Sequence, residues 1–413
     1  MNKIKTFIDE LFELSVRYLG EKEVNSIKSI LEEAEKYEVG LALKARKSDK
    51  EENNLIEKIR AQYYSDTLLT FVKNKISLEA FTSYLIDFGK LCLDFGEIAC
   101  AEHSLSQAID IAGSERKYKI LIAQAFFYRA ETYVRSTRWN FALSDIKKAR
   151  QLYIENRDKK GLACVENLTA IVNSERGKLK VALKHYNEAL KIFNKIKDDL
   201  WIGILEMNIG NLKTIQSEWD NAYTHYKRAM HIFENLMDFK RLALVRCNIG
   251  LLFRNKGELE PALTEFDRAL DYATQDGYLL AKGLSYLGKG NIYALLEDFG
   301  IAIEFCNKAL EIFYKLMDKV GLAETYRIKG VIQRDTSNYE IAETYLLTSL
   351  RLSTEVESKL NMAEVMYDLG ILYRKWNKPD MAKKYLEMSR ENFNKLGSKA
   401  NLENINLILE RTK

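Results

Sequence analysis

Residues 208–233 read NIGNLKTIQSEWDNAYTHYKRAMHIF. Within them Gly210 is followed after twelve residues by Ala222, after seven more by Ala229, and after a further four by Phe233. The same frame extends in both directions. Small anchors stand at Gly89, Ala130, Ala170, Gly210, Gly250, Gly290, Gly330 and Gly370, spaced by 41 residues once and by 40 thereafter. Twelve residues past each anchor is an alanine: Ala101, Ala142, Ala182, Ala222, Ala262, Ala302, Ala342 and Ala382. The position nineteen past the anchor holds Ala108, Ala149, Ala189, Ala229, Ala269, Ala309, Ser349 and Ser389, and an aromatic follows at Tyr153, Phe193, Phe233, Phe313 and Phe393.

Two antiparallel helices approach closely only where a side chain is a hydrogen or little more than a methyl group. Each anchor and its alanine therefore mark a helix–helix contact, and each forty residues a helical hairpin. Gly96, Gly177 and Gly257, seven past their anchors, mark the turn between the two helices, where a positive φ is easiest for glycine. Pro261 falls where a second helix begins and its missing N–H matters least. The only other proline is Pro379, and alternating β-branched runs are absent, so helix is expected throughout, with the aromatics filling helix interfaces.

The arrangement resembles the tetratricopeptide repeat, with Gly210, Ala222 and Ala229 on that family's three small positions. Asn208-Ile209-Gly210-Asn211-Leu212 and Glu188-Ala189-Leu190-Lys191-Ile192-Phe193 carry the likeness most openly. The period is six residues longer than the family's usual one, as in Pins-type scaffolds, kinesin light chains, and bacterial Rap-type and transcriptional-sensor proteins. The resemblance implies an all-α, right-handed superhelical solenoid of about eight helix pairs over residues 79–396, whose first helices line a concave face that holds a protein or peptide partner.

The ends depart from the frame. Residues 1–78 show helical periodicity at Ile4, Phe7, Ile8, Leu11 and Leu14, and again at Leu55, Ile56, Ile59 and Tyr63, without the small-residue anchors. They read as an N-terminal helical segment or cap. The charged run from Lys44 to Asn54 reads as a loop between them. Residues 397–413 mix Leu402, Ile405, Leu407 and Ile408 with charges, as a closing helix with one wet face does.

On a first helix, the residues two before, one after and five after the anchor share a face. Those offsets hold Tyr128, Asn208 and Asn248, then Asn211 and Asn291, then Asn255. Asparagine donates and accepts at once, so such a face can clamp the backbone of an extended peptide. In the resembling scaffolds and sensors, asparagines at similar places do this. The plainer alternative is a set of solvated polar residues on an exposed face. Arg254 and Arg334, with Arg374, fall four past their anchors at the rim of that surface, placed to hold carboxylates of an acidic ligand or to act as ordinary helix-end charges.

Composition narrows the function classes. With 63 basic and 59 acidic side chains the formal charge is only +4, which argues against a nucleic-acid footprint. The five cysteines are scattered, with no CxxC pair, and read as small buried residues of a reducing compartment. The N-terminus lacks a signal-peptide core and no run reaches eighteen apolar residues, so a soluble cytoplasmic protein is expected. His185 and His225 share an offset in successive repeats, yet with no carboxylates evidently fixed beside them they read as packing residues, and no metal is expected. HExxH, GxSxG and phosphate-loop motifs are absent, so neither a cofactor nor an enzyme is expected. Two readings remain: an adaptor-like module that binds a peptide or helix of a partner in its groove, and a Rap-like, peptide-responsive regulator whose N-terminal helices engage a signalling partner. The sequence leaves the oligomeric state open.

Overall fold

The half-repeat is twenty residues, and the backbone shows it directly. In the computed structural model, which describes residues 7–43, 50–113, 116–316 and 318–410 (backbone alone for 34–43, 50–61 and 116), every repeat turns through a left-handed residue seven past its anchor. These are Gly96, Thr137, Gly177, Ser217, Gly257, Glu297, Ser337 and Asn377. Twenty residues later the chain turns the same way at Arg157, Lys197, Met237, Gly277, Glu357 and Gly397. The sequence marks this conformation only where glycine stands, and most of these positions are not glycine. The helix-ending hydrogen bonds explain why the backbone goes there regardless: at Gly257 its N–H donates to Arg254 O at 2.9 Å while Glu258 N–H reaches back to Phe253 O at 2.9 Å. That pair of hydrogen bonds closes the helix only if the first of the two donor residues is left-handed, at a cost of about 1–2 kcal/mol for a residue with a Cβ.

The chain divides into two compact units, Met1–Gly161 and Leu162–Lys413. In the first, α1 (Phe7–Leu19), α2 (Glu21–Leu43) and α3 (Lys50–Lys73) precede two hairpins, α4 (Leu78–Asp94) with α5 (Ile98–Ala112) and α6 (Lys119–Arg135) with α7 (Trp139–Glu155). α8 (Lys159–Glu175) opens the next hairpin with α9 (Leu179–Ile196). The second unit continues with α10 (Asp199–Ile215) and α11 (Trp219–Asn235), α12 (Phe239–Lys256) and α13 (Leu259–Gln275), and α14 (Leu279–Leu295) and α15 (Phe299–Leu316). It ends with α16 (Lys319–Asp335) and α17 (Tyr339–Glu355), α18 (Lys359–Lys375) and α19 (Pro379–Leu396), and a single helix α20 (Lys399–Glu410). No strand occurs among the described residues.

One expectation is corrected at the N-terminal end. Of the charged run read as a loop, residues 44–49 lie outside the described ones, but Lys50 to Asn54 already belong to α3. Lysine and glutamate are good helix formers, and a polar surface alone does not stop a helix that lacks proline and glycine. In the same unit Leu11, Phe12 and Leu14 of α1 share one core with Tyr64, Leu68 and Val72 of α3 and with Tyr84, Leu85 and Phe88 of α4. Ser15 and Tyr84 join their hydroxyls at 2.9 Å, and Tyr18 donates to Asp87 at 2.8 Å.

The small-residue frame has a sharper meaning in three dimensions. All eight alanines twelve past the anchor are fully buried. What crowds an anchor glycine most closely is the side chain sixteen residues on: a Cβ on Gly89 would sit 2.6 Å from Leu105, on Gly210 2.6 Å from Tyr226, on Gly250 2.9 Å from Phe266, and on Gly370 2.6 Å from Leu386. The alanine's own backbone closes in at Gly290, where Ala302 O would lie 3.3 Å away. The recurring aromatics Tyr153, Phe193, Phe233, Phe313 and Phe393 are buried. Three of them fill space opened by further glycines: a Cβ on Gly161 would meet Tyr153 at 2.3 Å, one on Gly203 would meet Phe233 at 2.8 Å, and one on Gly321 would meet Phe313 at 2.4 Å. Ser349 and Ser389, where alanine stands elsewhere, donate their buried hydroxyls to Ala323 O at 2.6 Å and Ala363 O at 2.7 Å, so no polar group is stranded.

Within the second unit the row of hairpins coils back on itself. The turn hydroxyls of Ser217 and Ser398 lie 3.4 Å apart, and a Cβ on Gly177 would sit 3.4 Å from Leu396. This return brings α12 into the field of α16 and α18 across the inside of the coil.

Two substitutions test the frame. Gly210→Ala should lower stability by about 1–3 kcal/mol, because the methyl meets a tyrosine ring in a closely packed core. Glu297→Gly should raise it by a few tenths to about 1 kcal/mol by relieving the left-handed strain. Urea denaturation midpoints of the two variants should move in opposite directions.

Candidate functional site

The inner side of the second unit is built from the residues that flank the anchors of α12, α14, α16 and α18. Its densest chemistry lies on α16 and α18. Arg327 donates to Asp368 at 2.7 Å and also pairs with Glu324, with Glu364 at 3.6 Å. Arg334 donates to Asp368 at 3.1 Å and holds Asp335 through two further bonds at 3.0 and 2.9 Å. Lys375 adds a contact to Asp335 at 2.7 Å. The Arg327 and Arg334 side chains are each only 11% exposed and Asp368 7%, so these charges are largely removed from water.

Burial works against the charge on both arginines, but their carboxylate partners raise each guanidinium above its ordinary value. For Glu324 burial likewise opposes ionisation, yet Arg327 pulls the carboxyl below the usual range. Glu364 goes the other way. Burial, reinforced by Glu324 and Asp368 against the pull of Arg327 and Arg254, pushes its carboxyl up to about 7.

The residues singled out from the sequence fall into three groups. Asn208, Asn211, Asn255 and Arg334 are engaged within the protein. Asn208 donates to the buried Asn167 at 3.1 Å, Asn211 accepts from Tyr226 at 2.8 Å, and Asn255 accepts from Arg254 at 2.7 Å. Asn248 and Asn291, both half-buried, make no hydrogen bond among the described residues, and Arg254 makes only the one to Asn255. Tyr128 stands apart in the first unit, with the Lys90 ammonium 4.6 Å from its ring centroid. The sequence reading missed Glu324, Arg327, Glu364 and Asp368. They sit six, three, six and two residues before their anchors; only Asp368 shares an offset considered above, and their alternating charge was the available signal.

The histidines are also placed differently from expectation, because carboxylates do lie beside them. His185 Nδ1 is 2.6 Å from Glu166 and 3.7 Å from Glu188, and these three donor groups lie within 4.8 Å of one another. His225 repeats the pair with Glu206 at 2.6 Å, but there Arg228 takes the place of Glu188, 3.8 Å from Glu206. Next in the series, Arg246 and Glu265 pair at 2.8 Å with Arg268 beside them. The position four before an anchor and the one nineteen residues later thus form a polar clasp between the two helices of a hairpin. The spacing of 19 was legible, but which carboxylate faces which histidine depends on helix rotation.

The raised Glu364 carboxyl makes stability depend on pH with a defined sign. Its folded value of about 7 lies above its ordinary one, so the folded state binds the proton more tightly. Stability should increase as pH falls from about 7 toward the ordinary glutamate value of about 4.3. Denaturation at several pH values across that window should show this slope, and Glu364→Gln should flatten it.

Comparison with known proteins fits this architecture. The tetratricopeptide repeat family model matches residues 121–195 and 321–395, and a second tetratricopeptide repeat model matches 284–315. No curated protein matches. Among solved structures, a Rap protein complexed with Competence and Sporulation Factor is 13% identical with a TM-score of 0.64, and the alignment covers 98% of each chain. The Rap conjugation gene regulator of plasmid pLS20, in complex with the Phr* peptide, is 14% identical with a TM-score of 0.58, covering 94% of this chain and 96% of that one. Aspartyl phosphate phosphatase F from Bacillus subtilis is 18% identical with a TM-score of 0.55, covering 87% and 97%. At these identities the likeness is one of fold. Together with the forty-residue frame, the two repeat models show that the chain carries tetratricopeptide repeats.

Proposed function

We propose that this protein binds an extended peptide, free or part of a protein partner, along the inner first-helix face of its second unit. The observation that carries the reading is the pair Asn248 and Asn291. They occupy neighbouring first helices, α12 and α14, at offsets three residues apart in the frame, and their amides are unengaged while those of Asn208 and Asn211 are held. An amide left free to donate and accept matches the alternating groups of a peptide backbone. A role in binding rather than catalysis, in the cytoplasm, accords with this. No helix among the described residues is long and apolar enough to cross a membrane.

A second reading, the peptide-responsive regulator, draws on a separate observation. The likeness to the Rap structure with Competence and Sporulation Factor spans α1–α3 as well as the repeats. In this reading residues 1–78 engage a signalling partner, 79–396 sense the peptide and 397–413 cap the stack. In the adaptor or scaffold reading, residues 1–78 only shield Tyr84 and Phe88 of the first hairpin from water. Hydrogen exchange separates them: bound peptide should alter protection within α1–α3 in the regulator and leave it unchanged in the adaptor.

The site itself is tested by the double substitution Asn248→Ala with Asn291→Ala. It should weaken peptide binding about tenfold or more in calorimetric titration, since each lost backbone bond contributes about 0.5–1.5 kcal/mol. An unchanged dissociation constant would remove this face as the binding site.

A further inference from the structure

The frame lets one arginine serve as a control for another. Arg254 and Arg334 stand at the same offset, four past their anchors, eighty residues apart. Arg334 is held by two acids: Asp335, the next residue, and Asp368, two residues before the anchor of the following first helix. The equivalent positions around Arg254 are Asn255 and Gly288. Both acids are therefore missing, one replaced by a neutral amide and the other by no side chain.

The consequences for Arg254 are visible. Of five guanidinium donors only one Nη2 hydrogen is used, on Asn255 at 2.7 Å, and Nε is buried without a partner. Burial accordingly pushes the Arg254 guanidinium down, whereas Arg334, also withdrawn from water, is raised by its acids. Glu324, Glu364 and Asp368 attract Arg254 through space, but their contacts are made with Arg327 and Arg334. Packing keeps the seat at position 288 vacant: a Cβ there would lie 2.2 Å from the Phe266 ring. Eighty residues on, the smaller Leu346 occupies the place of Phe266, and Asp368 fits.

We propose that Arg254 is the anchor for a carboxylate of the groove ligand, so that the bound peptide presents an aspartate, a glutamate or its own C-terminus where it crosses α12 and α14. The inference rests on the peptide-binding reading above and adds the chemistry of the ligand. A largely desolvated guanidinium with unused donors in a fixed fork is the counterpart of a carboxylate held by two parallel bonds. A ligand acid there would complete for Arg254 the arrangement that Asp335 and Asp368 make for Arg334, with Asn248 on the same helix and Asn291 on the next first helix for the peptide backbone.

The test uses the full chain and synthetic hexapeptide pools with one fixed central residue, Asp, Asn or Lys, each with a free or amidated C-terminus, read by fluorescence anisotropy. Carboxylate-bearing pools should bind about tenfold or more tightly than the amidated Asn pool, and added salt should narrow the gap. The amidated Asp pool and the free-terminus Asn pool separate a side-chain acid from a terminal one. Arg254→Gln should erase the preference. Asn255→Asp offers a check that keeps the arginine: it supplies the acid that Arg334 already has, and should weaken the acidic pools while stabilising the fold. Equal affinity for all pools, or an acidic preference that survives both substitutions, overturns the anchor and leaves the peptide-binding reading standing. Failure of every pool to bind overturns both.

Discussion

The structure depends on one steric condition, met once in each forty residues: a first helix must come so close to its second helix that the anchor position holds only glycine or alanine, and at Gly89, Gly210, Gly250, Gly330 and Gly370 a Cβ would collide with the side chain sixteen positions on. Gly89 against Leu105, Gly210 against Tyr226 and Gly370 against Leu386 show the condition at its tightest. Once it is met, the two helices of a hairpin have a fixed separation and rotation, and the large side chain packs in its rotamer with no room to spare. The left-handed turns follow from the same demand. Helices of nearly constant length must end at the same place in every repeat, so Thr137, Ser217, Glu297, Ser337 and Asn377 accept a conformation that suits glycine better.

With helix rotation set, the faces acquire separate uses. The position four before each anchor meets the second helix of its own hairpin, and there the chain places Glu166 with His185, Glu206 with His225, Arg246 with Glu265, and further along Tyr286 against Phe305. Polar clasps and stacked rings are alternative fillings of one slot. The positions two and three before the anchor and four after it instead link successive first helices, as Asn208 to Asn167 and Arg334 to Asp368 do. Because those links run along the inside of the coil, the peptide-binding reading proposed above puts the guest at the gaps in the series, Asn248 and Arg254.

The charge cluster on α16 and α18 has a cost of its own. Removing Arg327, Arg334 and Asp368 from water is recovered only through their mutual geometry, and a buried ion-pair network of this kind is weak evidence of stability. Its stronger effect is on specificity. It fills one side of the coil with acids and bases already committed to each other, and under the proposed peptide-binding function that leaves discrimination among ligands to the uncommitted donors of α12 and α14.

Much of this was legible in residue order. The helix pairs, their number and their close contacts follow from a small residue recurring every forty positions, because only glycine and alanine permit the approach and nothing else explains their strict spacing. Face membership followed from helical periodicity, which put Asn248, Asn291 and Arg254 on candidate surfaces. Periodicity could not say which of those polar groups were already satisfied. Asn208 and Asn211 look no different in sequence from Asn248, yet Asn167 and Tyr226 hold them, and Arg254 and Arg334 differ only through what stands one residue later and on the next helix. The hydrogen bonds between helices that hold Asn211, Arg334 and Asn208 join residues fifteen to forty-one positions apart, and a shift of about 1 Å or a modest rotation makes or breaks them. The sequence by itself determined the repeat, the helix ends marked by glycine and the set of candidate faces, since these rest on local sterics. Only the tertiary structure decided which donors and acceptors meet, since that depends on distances between chain segments that no local rule sets.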